Sequence, residues 1–214
     1  MDRRKLFTRV FEPHPASPGA TRYTNAVLRN QDNKPVKFYD DLIKGRQVVV
    51  NFFYAECKGA CPIVTAKLKR LYNQLGDRMG EDLFFYSISI RPKDDTPAVL
   101  KHYSQMHKVD LPGWVFLTGD PSDIETIRIR LFGMGHPGFD LDESMDAGML
   151  RIINDNRNSW GMAQAYASDQ NILKRIAWQD PEKSYAEMVR IYRDLQVRID
   201  DEVKKYGYRR DAWL

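Results

Sequence analysis

A continuous apolar run, QVVVNFFYA at residues 47–55, constrains the fold of this chain more than any other stretch. A strand that carries valine and phenylalanine on both faces is typical of the centre of a sheet that helices cover on each side. A helical pattern follows it and ends near Gly76. Its apolar positions are Ile63, Leu68, Leu71 and Leu75. The sequence therefore predicts a buried strand that leads directly into a helix.

The same alternation of strand and helix patterns continues along the chain. Two short alternating runs around residues 31–34 predict a hairpin. The further predicted strands are LFFYSISI (83–90), GWVFLTG (113–119), GMLRIIND (148–155) and NILKRIAW (171–178). One predicted helix opens at Asp95-Thr96-Pro97 and runs to about His107, and another spans residues 121–132. This alternation predicts an α/β layered domain with a largely parallel central sheet.

The two ends of the chain differ from its middle. Residues 12–20, EPHPASPGA, are rich in proline and small residues, so residues 1–20 are predicted to be a flexible arm. Residues 21–180 carry the domain, and residues 181–214 are predicted to form a long helix and a tail. The apolar stripe of that helix is Tyr185, Met188, Tyr192, Leu195, Ile199, Val203 and Tyr206.

Charge and hydropathy limit the classes of protein to which this chain can belong. A net charge of +4, from 33 basic and 29 acidic residues spread over 214 positions, gives no basic stripe for nucleic acid. No run approaches 18 apolar residues, so no transmembrane helix is predicted. The opening MDRRKLFTRVF carries paired arginines, but EPHPASPG follows where an export signal has its apolar region. If the chain is complete at its start, this pattern predicts a cytoplasmic protein.

The chain has two cysteines, Cys57 and Cys61, at the junction between the apolar strand and the following helix. Residues four apart on a helix share a face with Cα atoms about 6 Å apart, which lies inside the disulfide range of ~4.4–6.8 Å. Reduced, the same pair presents two sulfurs to one soft cation. The residues alone leave three interpretations open: a redox pair, a metal clamp, or two small buried side chains.

Three stretches resemble the Sco/SenC family, thioredoxin-fold copper chaperones of cytochrome oxidase assembly. They are QDNKPVKFYDDLIKGRQVVVNFFYAECKGACPIVT, YSISIRPKDDTPAVLKHYSQMH and LPGWVFLTGD, and the resemblance covers roughly residues 23–180. It implies an α/β, thioredoxin-like fold with a central mixed sheet flanked by helices. In that family the paired cysteines bind copper with a histidine from a later loop, and they also cycle between dithiol and disulfide. Cys57 and Cys61 match them.

The resemblance is incomplete at the third copper ligand. The family's histidine precedes a strand similar to GMLRIIND, and here that place reads ESMDAGML, with Asp146 as the equivalent by spacing. Carboxylate suits harder ions than copper(I). His136 is the other candidate ligand, and nearby methionines are interpreted as packing residues. Arg91 stands where the family commonly has an acidic residue.

Two functions follow from this resemblance. The first is a thiol-disulfide redox or assembly factor in respiratory oxidase maturation, a possible thiol-disulfide oxidoreductase in which Cys57 attacks and Cys61 resolves. The alternative is a copper metallochaperone that uses the two cysteines and a substituted third ligand. A copy that keeps the fold and acts as a binding module is a third reading. The predicted partner is a protein, either an oxidase subunit or a thiol protein, and the resemblance implies the periplasm or cell envelope.

Overall fold

The computed structural model describes residues 22–132 and 148–179, with the single positions Arg193 and Val197. The strands are β1 (Val27–Asn30), β2 (Pro35–Lys37), β3 (Gln47–Phe53), β4 (Leu83–Ser89), β5 (Trp114–Thr118), β6 (Met149–Asn154) and β7 (Ser159–Gln164). The helices are α1 (Ala60–Leu75), α2 (Pro97–Met106), α3 (Pro121–Phe132) and α4 (Asp169–Trp178). A π-helical turn (Phe38–Ile43) and a 3-10 turn (Gly76–Arg78) complete the described elements.

The seven strands form one mixed sheet in the order β2-β1-β5-β4-β3-β6-β7. Only β3–β4 and β4–β5 pair in parallel, and the remaining neighbours in this described sheet are antiparallel. The prediction of a largely parallel sheet was therefore wrong, and the mixed sheet implied by the family resemblance is confirmed. Two of the antiparallel pairs, β1–β2 and β6–β7, are hairpins, whose short turns permit only antiparallel pairing. Each hairpin then joins the three parallel strands through a further antiparallel pair, β1–β5 or β3–β6.

Strand β3 lies inside the sheet and is buried along its whole length, as its apolar sequence predicts. Val49 and Phe53 face a core cluster shared with α1, α2 and α4. Val48 and Phe52 face the second cluster, shared with α3 and the π-helical turn. Burial on both faces explains why this strand shows no alternation of polar and apolar residues.

The prediction of a final strand at residues 171–178 was wrong, because this segment is helix α4. Its buried residues Ile172, Leu173 and Ile176 repeat at helical spacing, and the Ser168 side chain caps the helix by accepting from the Asn171 N–H. The last strand is instead β7, which no pattern predicted. Its sequence SWGMAQ carries a glycine and lacks β-branched residues, so its strand signal is weak.

The helix that follows β3 differs from its prediction at one position. Ile63 is 57% exposed, while Leu68, Leu71 and Leu75 are buried as predicted. The predicted cap of α2 is confirmed at Thr96, whose side chain accepts from the Val99 N–H. Ile63, two residues after Cys61, therefore faces solvent rather than supporting the core.

Helix α4 is attached to α1 by a buried ionic cluster. The Asp169 carboxylate accepts a hydrogen bond from Lys67 and lies 3.4 Å from Arg70 Nε and 3.4 Å from Gln74 Nε2. The side chains of Lys67 and Asp169 are only 10% and 18% exposed. A nearly buried cation that is hydrogen-bonded to a nearly buried carboxylate makes this cluster important for stability.

Several predictions fall outside the described residues. These are the arm at residues 1–20, the candidate ligands His136 and Asp146, and the apolar stripe of the C-terminal helix. Within the residues that are described, no helix is both long enough and apolar enough to span a bilayer.

Candidate dithiol site

The two cysteines lie where β3 gives way to α1. We call residues 54–59, between the end of β3 and the start of α1, the thiol loop. Its entrance is anchored because the Ile90 N–H donates to the Phe53 carbonyl at 2.9 Å. Cys57 lies in the thiol loop, and Cys61 lies in the first turn of α1. The fold thus places one cysteine before the helix and the other inside it.

The cysteines contact each other through the start of the helix. The Cys61 N–H donates to Cys57 Sγ at 3.4 Å, and both residues are free thiols. Cys57 is half-buried, whereas Cys61 is 1% exposed and belongs to the core cluster that α1 shares with β3. An N–H group at a helix N-terminus stabilises a thiolate that faces it. This arrangement favours negative charge on Cys57.

The two thiols differ in acidity. Burial raises the pKa of Cys57, but hydrogen bonds from Cys61, the Gly59 backbone and the Tyr54 side chain outweigh burial and leave this pKa below its ordinary value. Burial, followed by the interaction with Cys57, raises the pKa of Cys61 to about 12. Cys57 therefore loses its proton first. Lys58 and Glu56, whose charges flank Cys57 in sequence, are both exposed, where solvent screens them.

Arg91 lies against the thiol loop. Its guanidinium carbon is 4.0 Å from the centroid of the Tyr54 ring, a cation–π contact. The pKa of Tyr54 is raised, and the largest cause is its hydrogen bond with Cys57. The residue that departs from the family pattern therefore packs on the side chain that contacts the half-buried cysteine.

On the inner side of the site, a pair of hydroxyl groups lies beside the apolar core. Tyr103 shares a 2.8 Å hydrogen bond with Thr65, and its ring centroid lies 5.1 Å from that of Phe53. Burial raises the pKa of Tyr103 to about 12, so this hydroxyl stays neutral. His107 is half-buried with its ring centroid 4.3 Å from that of Tyr103, while His102 is exposed.

Sequence reasoning missed the buried carboxylate of this site. Asp95 was interpreted only as part of the helix-capping segment, but its carboxylate is buried and accepts from the Ala55 N–H in the thiol loop. Capping itself belongs to Thr96. An aspartate beside a serine, threonine or proline is common at helix starts, so the sequence carries no signal for this long-range contact.

At the described site, the groups that suit a soft metal ion are two sulfurs. No group of three or more histidine, cysteine, aspartate or glutamate side chains suited to a metal occurs among residues 22–132 and 148–179. Met149 packs with the cluster on the far face of the sheet, whereas Cys61 belongs to the near one. Two thiolates suit copper(I), which is soft. The third-ligand predictions, His136 and Asp146, remain predictions.

Comparison with known proteins identifies the family of this chain. A family model described as SCO1/SenC matches residues 22–178. The chain belongs to the SCO1/SenC family. Over 107 residues it is 30% identical to the SCO1 protein homolog of Bacillus subtilis, a match that covers 50% of this chain and 54% of that protein. The chain thus spans about half the length of this curated SCO1/SenC relative.

Solved SCO1/SenC structures share the fold. The structure of BsSco, described as a member of the Sco family of cytochrome c oxidase assembly proteins with a disulfide switch, superposes with a TM-score of 0.61 at 22% identity. That match covers 75% of this chain and 95% of BsSco. Copper-bound yeast Sco1 gives a TM-score of 0.58 at 19% identity, covering 76% of this chain and 94% of the yeast chain. At these identities the likeness establishes the thioredoxin-like SCO1/SenC fold.

Proposed function

We propose that this SCO1/SenC protein is a thiol-disulfide redox factor that acts through Cys57 and Cys61 in the maturation of a respiratory oxidase. The observation that carries the proposal is the asymmetry of the pair. Cys57 is half-buried and acidic for a thiol, while Cys61 is buried with a pKa near 12 and donates its N–H to the Cys57 sulfur at 3.4 Å. A half-buried acidic thiol beside a fully buried one suits an attacking and a resolving cysteine.

The chemistry follows in two steps. The Cys57 thiolate attacks one sulfur of a partner's disulfide, forms a mixed disulfide and releases the partner's other sulfur as a thiolate. Cys61 then loses its proton and attacks Cys57 Sγ, which releases the partner's second thiol and leaves a Cys57–Cys61 disulfide. The partner gains two electrons, and the dithiol loses them. The reverse sequence oxidises a partner dithiol.

The relatives support the biological setting. BsSco is described as belonging to a family of cytochrome c oxidase assembly proteins and as containing a disulfide switch. A redox factor of this kind would act on thiols of an oxidase subunit or of another thiol protein. The cell envelope, which the resemblance implies, permits disulfides to form and persist.

The redox proposal predicts that Cys57 and Cys61 form a reversible intramolecular disulfide. Oxidised protein should gain two alkylatable thiols on reduction, which mass spectrometry of the alkylated chain measures directly. The Cys57→Ser and Cys61→Ser variants serve as matched controls, since neither can form the internal bond. Two thiols that remain free in mild oxidant would contradict the redox proposal.

Copper delivery is the second candidate function, and the observation that favours it is the pair of adjacent sulfurs. Copper(I) prefers thiolate, and the fold is shared with the copper-bound yeast Sco1 structure. In this function Cys57 and Cys61 would hold copper as cargo and pass it to an oxidase subunit. Copper bound there would bring positive charge that stabilises both sulfurs as thiolates.

Replacing Asp146 by histidine tests the copper function. The sequence places a carboxylate where the family has imidazole, and carboxylate is a poor ligand for copper(I). We expect weak copper(I) binding in the natural protein and binding at least ~10-fold tighter in Asp146→His, since even supporting groups shift metal affinity by ~10–100-fold. Competition against a copper(I) chelator measures both proteins.

A control separates the new ligand from a general effect of charge. Asp146→Asn removes the carboxylate without adding imidazole, so it should stay within ~3-fold of the natural protein if ligand chemistry dominates. If the natural protein already binds as tightly as the histidine variant, another group such as His136 completes the site. If neither protein binds copper(I), the copper function is wrong and the dithiol function remains.

A further inference from the structure

Asp95 is a carboxylate that the fold hides from solvent. It lies between β4 and α2, and only 1% of its surface is exposed. Removing a carboxylate from water is costly unless hydrogen-bond donors replace the water. The hydrogen-bond donors to Asp95 therefore show which parts of the molecule it connects.

One oxygen of Asp95 joins the end of β4 to the thiol loop. Asp95 Oδ2 accepts from Ser89 Oγ at 2.5 Å and from the Ala55 N–H at 3.1 Å. Ser89 Oγ in turn accepts from the Arg91 N–H at 3.0 Å, and the Asp95 N–H donates to the Arg91 carbonyl at 2.9 Å. The carboxylate is thus fixed to β4 and its following turn, and it holds the thiol loop from there.

The hydrogen bond from the Ala55 N–H to Asp95 connects the carboxylate to the segment that carries Cys57. Ala55 lies two residues before Cys57, in the turn that the Cys57 N–H closes by donating to the Tyr54 carbonyl at 3.3 Å. Cys57 is the last residue of this turn, and its Sγ accepts the hydrogen bond from the Cys61 N–H. A disulfide requires specific Cα and Cβ separations, so a shift of this turn weakens the bond.

We propose that Asp95 is a positioning residue for the dithiol: by holding the Ala55 amide, it keeps Cys57 where its sulfur closes onto Cys61 and so favours the disulfide. This inference rests on the proposed redox function. Without the carboxylate, the Ala55 N–H loses its acceptor and the turn loses its attachment to β4. The reduced form tolerates that freedom, whereas the oxidised form does not.

The test compares Asp95→Ala, Asp95→Asn and the neighbouring exposed Asp94→Ala in the full chain. Each protein is equilibrated with glutathione and glutathione disulfide, which accepts two electrons from the dithiol and yields two glutathione molecules. In Asp95→Ala the equilibrium should move ~10-fold toward the dithiol, about 30 mV in reduction potential. Asp95→Asn should stay within ~3-fold, because its amide oxygen can accept both hydrogen bonds. Asp94→Ala should not differ from the natural protein.

Two results would overturn the inference in folded proteins: an Asp95→Ala equilibrium within ~2-fold of the natural one, or an Asp95→Asn shift as large as that of Asp95→Ala, since charge would then explain the effect. Circular dichroism checks folding first. If Asp95→Ala does not fold, Asp95→Val replaces it, because valine keeps the branched volume without an acceptor. If neither folds, Asp95 is a structural residue and the inference is wrong.

A separate measurement distinguishes failure of the proposed redox function from failure of the inference about Asp95. If the natural protein forms no disulfide with glutathione disulfide, the proposed function fails. The positioning of Cys57 is then read from the iodoacetamide alkylation rate of the reduced proteins. Asp95→Ala should change this rate by ~5-fold or more while Asp95→Asn leaves it near the natural value, because only alanine removes the acceptor of Ala55. Equal rates in all three proteins would overturn the inference.

Discussion

We expect Cys57 to be alkylated about 100-fold faster than Cys61 at pH 8, measured with iodoacetamide on the single-cysteine variants Cys61→Ser and Cys57→Ser. In the natural protein burial, the larger cause, and the interaction with Cys57 raise the pKa of Cys61 to about 12. The burial persists in Cys57→Ser, so only a very small fraction of Cys61 is ionised at this pH. The pKa of Cys57 lies below its ordinary value, which leaves a far larger thiolate fraction. Cys61 is the less acidic thiol, so its thiolate is the stronger nucleophile, which raises its reaction rate by roughly 10–50-fold. The burial of Cys61 limits access of the reagent and opposes that increase.

The pH dependence separates acidity from access. The Cys57 rate should level off at a lower pH than the rate of an ordinary cysteine, whereas the Cys61 rate should keep rising through pH 10. Unfolding both variants in denaturant is the matched control, because it removes burial and local hydrogen bonds and should bring the two rates together. Folded variants that react at similar rates would show that the structure does not distinguish attacker from resolver.

The second large effect concerns stability. Asp169→Asn should lower the free energy of unfolding by about 2–3 kcal/mol, because the nearly buried Lys67 ammonium loses its charged partner while Arg70 stays beside it. Asparagine keeps the shape and the position in the first turn of α4. Urea denaturation followed by circular dichroism measures the change. Asp82→Asn, which breaks an exposed pair with Arg78, should cost less than about 1 kcal/mol.

The pH dependence of the Asp169 effect has a definite sign. Burial raises the pKa of Asp169, but the hydrogen bond from Lys67 and the charges of Lys67 and Arg70 outweigh burial and leave the pKa below its ordinary value. A carboxyl whose folded pKa is lowered stabilises the fold above its unfolded pKa, about 4, and loses that contribution as pH falls toward the folded pKa. The difference between natural protein and Asp169→Asn should therefore shrink below pH 4. A difference that stays constant from pH 7 to 3 would mean that the charge of Asp169 does not hold the helices together.

Most of the fold could be predicted from patterns along the chain. The unbroken apolar sequence of β3 and the cap at Thr96 are local signals, and the structure confirms both. The error at residues 171–178 arose because Ile172, Leu173 and Ile176 suit either a short strand or a helix face. Strand β7 was not predicted because its pairing with β6, rather than its own composition, makes it a strand.

The candidate site was less predictable than the fold. The sequence located Cys57 and Cys61 at the right junction, and it gave a reason to expect Cys57 to be the more exposed. It did not reveal Asp95, because the partner of that carboxylate is the backbone of Ala55 on another strand's exit. Nor did it reveal the contact of Arg91 with Tyr54. Contacts between side chains and distant backbone leave no periodic trace in a sequence.

The pairing of β3 with β6 also bears on how this protein is made. Gln47 lies opposite Asn154, so the strand before the cysteines is completed only by residues far along the chain. The core around Cys61 likewise includes Ile172 and Ile176 of α4. Such distant pairings form late and slow folding. During synthesis Cys61 therefore stays accessible to oxidants and other thiols until nearly all of the described residues have been made. The time at which Cys61 becomes protected from alkylation therefore reports when folding is complete.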